Sequence, residues 1–216
     1  MLNFRLNGNT YKSVYGGFGE ALANLNDAYK KDSSVDSKLN VNSMIQYQDG
    51  ESPTALFAVR SLGIDPATGK EVFLTKNGTP TFDYNADDRV KIADTNPKIR
   101  GVFGISFTYK NLQASVNLRY NLGSFAFNSA LFNKVENISA SNIAYNQDKR
   151  ALYDRWQKPG DHAKFKGISL TETTPISSRF VLRENYIKAE SISVGYDFES
   201  QAVQKLGIQS LRLQAN

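Results

Sequence analysis

The residues best able to do chemistry are few, and each can be weighed by its spacing. Asp83, Asn85 and Asp87 fall at the first, third and fifth places of a calcium loop, and Asp94 falls at the twelfth. Asp88 stands where the sharp turn needs glycine, and Asp replaces the usual Glu at the last ligand. The segment therefore reads as an Asx-rich loop, with calcium as the weaker alternative. His162 follows Asp161 and could serve a triad only beside an oriented nucleophile. No G-x-S-x-G elbow accompanies it, so an exposed loop histidine is expected. Among 21 acidic residues no spacing singles out a carboxylate pair for glycoside hydrolysis. Tyr153, Trp156 and Phe165 are candidate stacking platforms for a sugar. The i, i+3 spacing of Tyr153 and Trp156 equally suits a short helix packed down on its neighbours.

Composition removes other chemistries. With no cysteine and one histidine in 216 residues, disulfides, thiolate metal sites, cysteine nucleophiles and multi-histidine centres are all excluded. No cofactor is expected. The net charge of +5 is spread along the chain and gives no basic face for nucleic acid. Mean hydropathy is −0.44, and no run of about 18 apolar residues could cross a bilayer as a helix. A strand needs only every second residue to be apolar, so a membrane-spanning β-barrel stays open.

The elements that would carry these residues are mostly strands. Leu2, Phe4 and Leu6 alternate with Asn3, Arg5 and Asn7. Residues 17–31 change to helical spacing, and 32–43 read as a polar linker. Residues 55–62 form a strand-like run, residues 70–75 and 79–84 a hairpin about Lys76-Asn77-Gly78, and 83–98 a polar loop. Phe103, Ile105, Phe107 and Tyr109 then share one face. After a tight reversal at Asn111, Leu112, Ala114, Val116, Leu118, Tyr120 and Leu122 alternate with Gln113, Ser115, Asn117, Arg119 and Asn121. Residues 128–177 read as a long polar stretch with one short helix over 147–157. Ile192, Val194, Tyr196 and Phe198 resume the alternation, 199–206 reads as a helical turn ended by Gly207, and Leu211 and Leu213 alternate with Arg212 and Gln214. The chain stops inside that last pattern and begins without an export signal, so both ends are expected to be fragment boundaries.

Short reversals near 110 and 199–207 and long polar excursions at 83–98 and 128–177 are the asymmetry of an outer-membrane barrel. The strand over 112–122 has the ~9–11 residues that a tilted crossing needs. On that reading Phe103, Ile105, Phe107, Val116, Leu118, Ile192 and Val194 face lipid. Gln113, Ser115, Asn117, Arg119, Asn121 and Arg212 line the lumen, and Tyr109 and Tyr120 sit at the interfaces. A soluble carbohydrate-binding β-sandwich also alternates, with its polar face in water, and is the alternative. A secreted glycan hydrolase is a weaker third.

Four stretches, in order, resemble the C-terminal barrel of the SusC/RagA family, TonB-linked outer-membrane transporters of Bacteroidota. They are Ala58-Val-Arg-Ser-Leu-Gly-Ile-Asp-Pro-Ala-Thr-Gly-Lys-Glu-Val-Phe73, Asp87-Asp-Arg89 through Pro97-Lys98 to Phe107-Thr-Tyr-Lys-Asn-Leu112, Arg155-Trp-Gln-Lys-Pro-Gly-Asp161, and Ser177-Ser-Arg-Phe180 through Asn185-Tyr186 to Ser191-Ile-Ser-Val-Gly-Tyr196. The likeness covers most of residues 50–216. It implies an all-β fold, an antiparallel segment of a 22-stranded transmembrane barrel with short helices in its loops. Residues 1–216 would be a partial C-terminal barrel region, with the plug domain and final strand outside them. It further implies import of a glycan or peptide, a SusD-type surface lipoprotein as partner, TonB reached through the N-terminal part, and residence in the bacterial outer membrane. A segment of this kind is expected to be passive wall, neither an enzyme nor competent to transport alone.

Overall fold

The computed structural model describes residues 1–31, 44–169, 172–198, 207 and 211–216. The described residues form strands β1 (Leu2–Asn9), β2 (Ala55–Ala58), β3 (Arg60–Ile64), β4 (Glu71–Leu74), β5 (Pro80–Thr81), β6 (Val90–Asp94), β7 (Ile99–Tyr109), β8 (Leu112–Phe127), β9 (Val181–Phe198) and β10 (Leu211–Ala215). Helices are short except for the first: α1 (Glu20–Lys31), α2 (Ser129–Leu131) and α3 (Arg150–Tyr153). The chain divides into two compact units, one of residues 1–11, 97–124 and 184–216, the other of residues 12–96 and 125–183.

The first unit is a five-stranded sheet in the order β1-β7-β8-β9-β10. β7 and β8 pair antiparallel from Ile99↔Leu122 to Tyr109↔Leu112. Their two-residue reversal puts Lys110 at φ 52°, the left-handed region that tight hairpin turns require. β1 pairs antiparallel with β7 from Leu2↔Phe107 to Asn9↔Arg100, a partner about a hundred residues away in sequence. β9 and β10 pair from Leu211↔Phe198 to Ala215↔Val194. Every strand expected in this sheet is present, but three run longer: β7 starts at Ile99, β8 continues to Phe127, and β9 starts at Val181; in the second unit the run expected over 55–62 is divided into β2 and β3, and the hairpin strand expected over 79–84 shrinks to β5.

The second unit holds the dry core. Met44, Leu56, Ala58, Leu131, Phe132, Val135, Ile138, Ala151, Phe165, Ile176 and Phe180 pack together. The Phe132 and Phe180 rings meet edge-on with centroids 5.1 Å apart. Burying each such aromatic or branched side chain contributes about 1.5–3 kcal/mol. This overturns the expectation of a solvated excursion over 128–177, which supplies seven of these core residues. They are spaced irregularly, so no period betrays them. The polar loop expected over 83–98 likewise contains β6, which pairs with β2 and buries Ala93. The helix expected over 147–157 is one turn, Arg150–Tyr153. It stops because Arg155 turns its side chain back, Nε–H donating to Ala151 O at 2.9 Å, while the Trp156 N–H donates to Phe165 O. The linker at 32–43 and the helical turn at 199–206 lie outside the described residues.

Candidate functional site

Strand pairing turns separate alternating rows into two sheet faces, because side chains opposite one another across a ladder share a face. Leu2, Phe4 and Leu6 register with Phe107, Ile105 and Phe103. These register in turn with Ala114, Val116 and Leu118. On the far side Val194 and Tyr196 register with Ala215 and Leu213. The apolar face therefore runs across the sheet, with Phe4 and Phe103 stacked at 6.5 Å and Tyr196 against Phe198 at 4.7 Å. It is not a core. Phe4 is 65% exposed, Ile192 55%, Leu213 58%; Phe103, Ile105, Val116 and Leu118 are half-buried, and Phe107 and Val194 are exposed. All buried hydrophobic residues described in the chain lie in the other unit.

The opposite face is polar and bonded to itself. Ser115 and Ser193 share a hydroxyl hydrogen bond of 2.7 Å, and the Asn117 amide donates to Ser191 Oγ at 2.9 Å. Arg212 grips Asp197 with two donors, Nε at 2.6 Å and NH2 at 2.8 Å, and Gln113 reaches the same carboxylate at 3.5 Å. Asn121 is buried and donates to Ser124 Oγ at 2.7 Å. Arg119 pairs with Glu190. Glu190 and Ser191 are consecutive, yet both bond to side chains of this one face.

At one end of the sheet a tyrosine locks the register. Gly8 and Gly101 are cross-strand partners, and Gly101 also pairs with Tyr120. The Tyr120 hydroxyl donates to Asn7 O at 2.9 Å. A methyl group on Gly101 would sit 2.5 Å from that hydroxyl and 1.9 Å from Asn7 O, so only glycine fits beneath it.

The other candidates separate. Asn85 Oδ1 accepts the Asp87 N–H at 3.0 Å and caps a single 3₁₀ turn. Asp94 lies in β6, where its Oδ1 accepts from Thr54 Oγ1 at 2.6 Å and from the Asn96 N–H at 2.8 Å. Burial pushes the Asp94 carboxyl up, but those hydrogen bonds outweigh it and hold the group below its ordinary value. Asp83, Asn85, Asp87 and Asp94 do not converge, and no group of three or more acidic or histidine side chains among the described residues could hold a metal. The calcium alternative is corrected accordingly: Asn85 and Asp94 instead accept from backbone N–H groups and from Thr54. His162 is exposed. Its neighbour Asp161 accepts the N–H groups of Lys158 and Gln157, which lower its pKa.

Of the three aromatic candidates only Tyr153, 78% exposed, offers an open ring. Phe165 is 6% exposed and belongs to the core, so it cannot stack on a ligand. Trp156 is half-buried. Its Nε1–H donates to Pro66 O at 2.9 Å, and its ring covers Gly69 so closely that a Cβ there would come within 2.5 Å of it. Gly69 sits at φ +71°. Trp156 also edges an open groove of about 840 Å³ shared with Lys70, Phe73, Phe82, Lys166 and Thr173. Sequence reasoning missed this groove because its two sides are about a hundred residues apart.

The chain is similar in sequence and in fold to known proteins. A TonB-dependent receptor P39 of Formosa agariphila is 27% identical over 152 residues, covering 68% of this chain and 14% of that protein. In fold, the chain superposes on a structure of the RagAB peptide transporter with a TM-score of 0.64 at 16% identity, over 85% of this chain and 20% of that one. It superposes on the RagAB peptide importer in its closed-closed state with a TM-score of 0.62 at 18% identity, over 82% and 21%. The fold is that of a SusC/RagA-type barrel segment. The resemblance carried by the four stretches is thereby borne out, although no protein-family model matches the chain. Among the described residues the sheet is not closed and is bounded by β1 and β10. The chain spans about a fifth or less of the length of each relative. Those relatives are named as a receptor and a transporter.

Proposed function

We propose that this chain supplies part of the wall and external loops of a TonB-dependent importer in the bacterial outer membrane. One observation carries the reading: a sheet whose apolar face is continuous over several strands and lies outside any core, backed by a self-bonded polar face. In water so large an exposed apolar patch marks an interaction surface. Against hydrocarbon it is the outer wall of a barrel, and the row of Gln113, Ser115, Asn117, Arg119, Asn121 and Arg212 then lines a wet lumen. Edge strands β1 and β10 would be unpaired in lipid, which hydrocarbon does not tolerate. The remaining strands and the plug are accordingly assigned to other parts of a longer protein, and the segment alone transports nothing.

On this proposal the cargo is a glycan or a peptide, a SusD-type surface lipoprotein covers the loops, and TonB acts through the plug. The named relatives support the import reading, RagAB being a peptide transporter. A soluble sandwich would bury Val116, Leu118 and Ile192 under a second sheet, and here they are half-buried or exposed.

This chain holds no cysteine, so single labels can be placed in it once any cysteine elsewhere in the whole protein is replaced. Single cysteines at 113 through 118 in the whole protein that carries this chain, reconstituted in vesicles, are given nitroxide labels. Labels at 114, 116 and 118 are expected to collide with oxygen dissolved in lipid, and those at 113, 115 and 117 with a water-soluble nickel chelate. Equal access of the chelate to all six positions would end the proposal.

A further inference from the structure

The second unit contains a buried ionic cluster that the wall-segment reading does not use. Arg179 NH2 donates to Glu71 Oε2 and to Glu136 Oε1, each at 2.8 Å. Its NH1 donates to Lys164 O at 2.7 Å. The remaining carboxylate oxygens are also engaged. Ser177 Oγ donates to Glu71 Oε1 at 2.5 Å, Thr174 Oγ1 to Glu136 Oε1 at 3.1 Å, and Arg179 NH1 lies 3.4 Å from Glu136 Oε2. The side chains of Glu71 and Glu136 are 5% and 0% exposed, and that of Arg179 12%. The Glu71 carboxylate in particular holds the Arg179 guanidinium firmly charged, despite the cost of burial. A second buried arginine, Arg155, donates from NH1 to Lys166 O at 2.9 Å and feels the Glu136 charge.

The placement of these groups along the chain is what matters. Glu136 stands just after α2, at the start of the segment that supplies Ile138, Ala151, Phe165 and Ile176 to the core, and Thr174, Ser177 and Arg179 stand where that segment returns to β9. The Glu136–Arg179 contact thus closes a loop of about 40 residues at its base, and Glu71 ties that closure to β4. Inside the loop, the same two arginines hold the carbonyls of Lys164 and Lys166, on either side of the core residue Phe165.

We propose that the Glu71–Arg179–Glu136 triad is a latch that keeps the described residues of this segment, 137–169 and 172–177, packed in place, so that they open as a unit when the triad is broken. Two carboxylates buried face to face cannot stay paired without the guanidinium between them. Neutral side chains of similar volume can. The latch therefore acts through charge balance, and replacing all three members should restore what replacing one destroys. This inference is independent of what the sheet faces.

The test is amide hydrogen exchange on the whole protein carrying this chain, purified in detergent. Four amides report on the excursion: Trp156 (to Phe165 O), Lys164 and Phe165 (both to Asp154 O) and Thr174 (to Asn137 Oδ1). Arg179→Met is expected to speed their exchange at least tenfold while amides of the β7–β8 ladder keep their rates. The triple variant Glu71→Gln, Glu136→Gln, Arg179→Met is expected to return them to within about threefold of the parent. If Arg179→Met fails to fold, Arg179→Lys, which keeps the charge but loses the fork, is read in the same way, with a smaller rise confined to the same amides. Unchanged exchange at these amides, or an equal rise throughout the second unit including the β2–β6 pair, would overturn the proposal, as would a triple variant as open as the single one.

Discussion

An arginine walked along β8 should report the depth of each residue in a bilayer. A strand rises ~3.4 Å per residue, and a tilt of ~45° leaves ~2.4 Å of depth per residue. Counting from Leu112 at the reversal, Val116 lies ~10 Å up, Leu118 ~14 Å and Leu122 ~24 Å. The apolar band of an outer-membrane barrel is ~25 Å tall, so Leu112 and Leu122 fall at its two edges and Val116 and Leu118 flank its middle. Arginine facing lipid costs ~2–4 kcal/mol at the midplane and ~0–1 kcal/mol near the interfaces. Val116→Arg and Leu118→Arg should therefore be ~2–3 kcal/mol less stable than Leu112→Arg or Leu122→Arg, a factor of roughly 30 to 150 in the folded-to-unfolded ratio. On the other face, Ser115→Arg and Asn117→Arg each lose one side-chain hydrogen bond, to Ser193 and Ser191. They should cost only about 1 kcal/mol. The assay is guanidinium unfolding of the whole protein in phospholipid vesicles, read by its loss of compact mobility on unheated gels. A flat cost along Leu112, Val116, Leu118 and Leu122, or a larger cost at Ser115 and Asn117, would refute the lipid-facing argument.

Two further outcomes are expected. Gly101→Ala should destabilise the sheet more than Gly104→Ala in the same unfolding assay. The added methyl at 101 meets the Asn7 backbone at 1.9 Å, whereas at 104 its nearest neighbour is the Asn117 side-chain amide at 2.7 Å, which can move; Tyr120→Phe should leave most of the stability, since it removes a hydroxyl and not the ring. In the second unit Asp148 is held at about 2 by the Arg150 side chain and backbone N–H. Its pKa is depressed on folding, so its contribution is present above the ordinary carboxylate value near 3.8 and disappears as pH falls through about 2. The Asp148 carboxyl carbon resonance should titrate near pH 2 in the parent and at a higher pH, still below the ordinary carboxylate value because the backbone N–H remains, in Arg150→Gln; an unchanged midpoint would show that the side-chain pairing does not hold the charge.

Legibility followed the range of the interaction. The two faces of β7 and β8 could be read from alternation, because a strand sends successive side chains to opposite sides whatever else surrounds it. The reversal at 110–111 was legible from the change of phase across two residues. By themselves, then, the amino acids determined the alternating strands of the larger sheet and their sidedness, the exclusion of thiol and multi-histidine chemistry, and the likeness to a barrel transporter. What folding alone decided is non-local. The pairing of β1 with β7, the Trp156–Gly69 contact and the Glu71–Arg179–Glu136 cluster join positions that share no period and lie up to about a hundred residues apart. The core of the second unit escaped notice for the same reason: Phe132, Phe165 and Ile176 sit singly in polar surroundings, and only three-dimensional packing makes them one cluster.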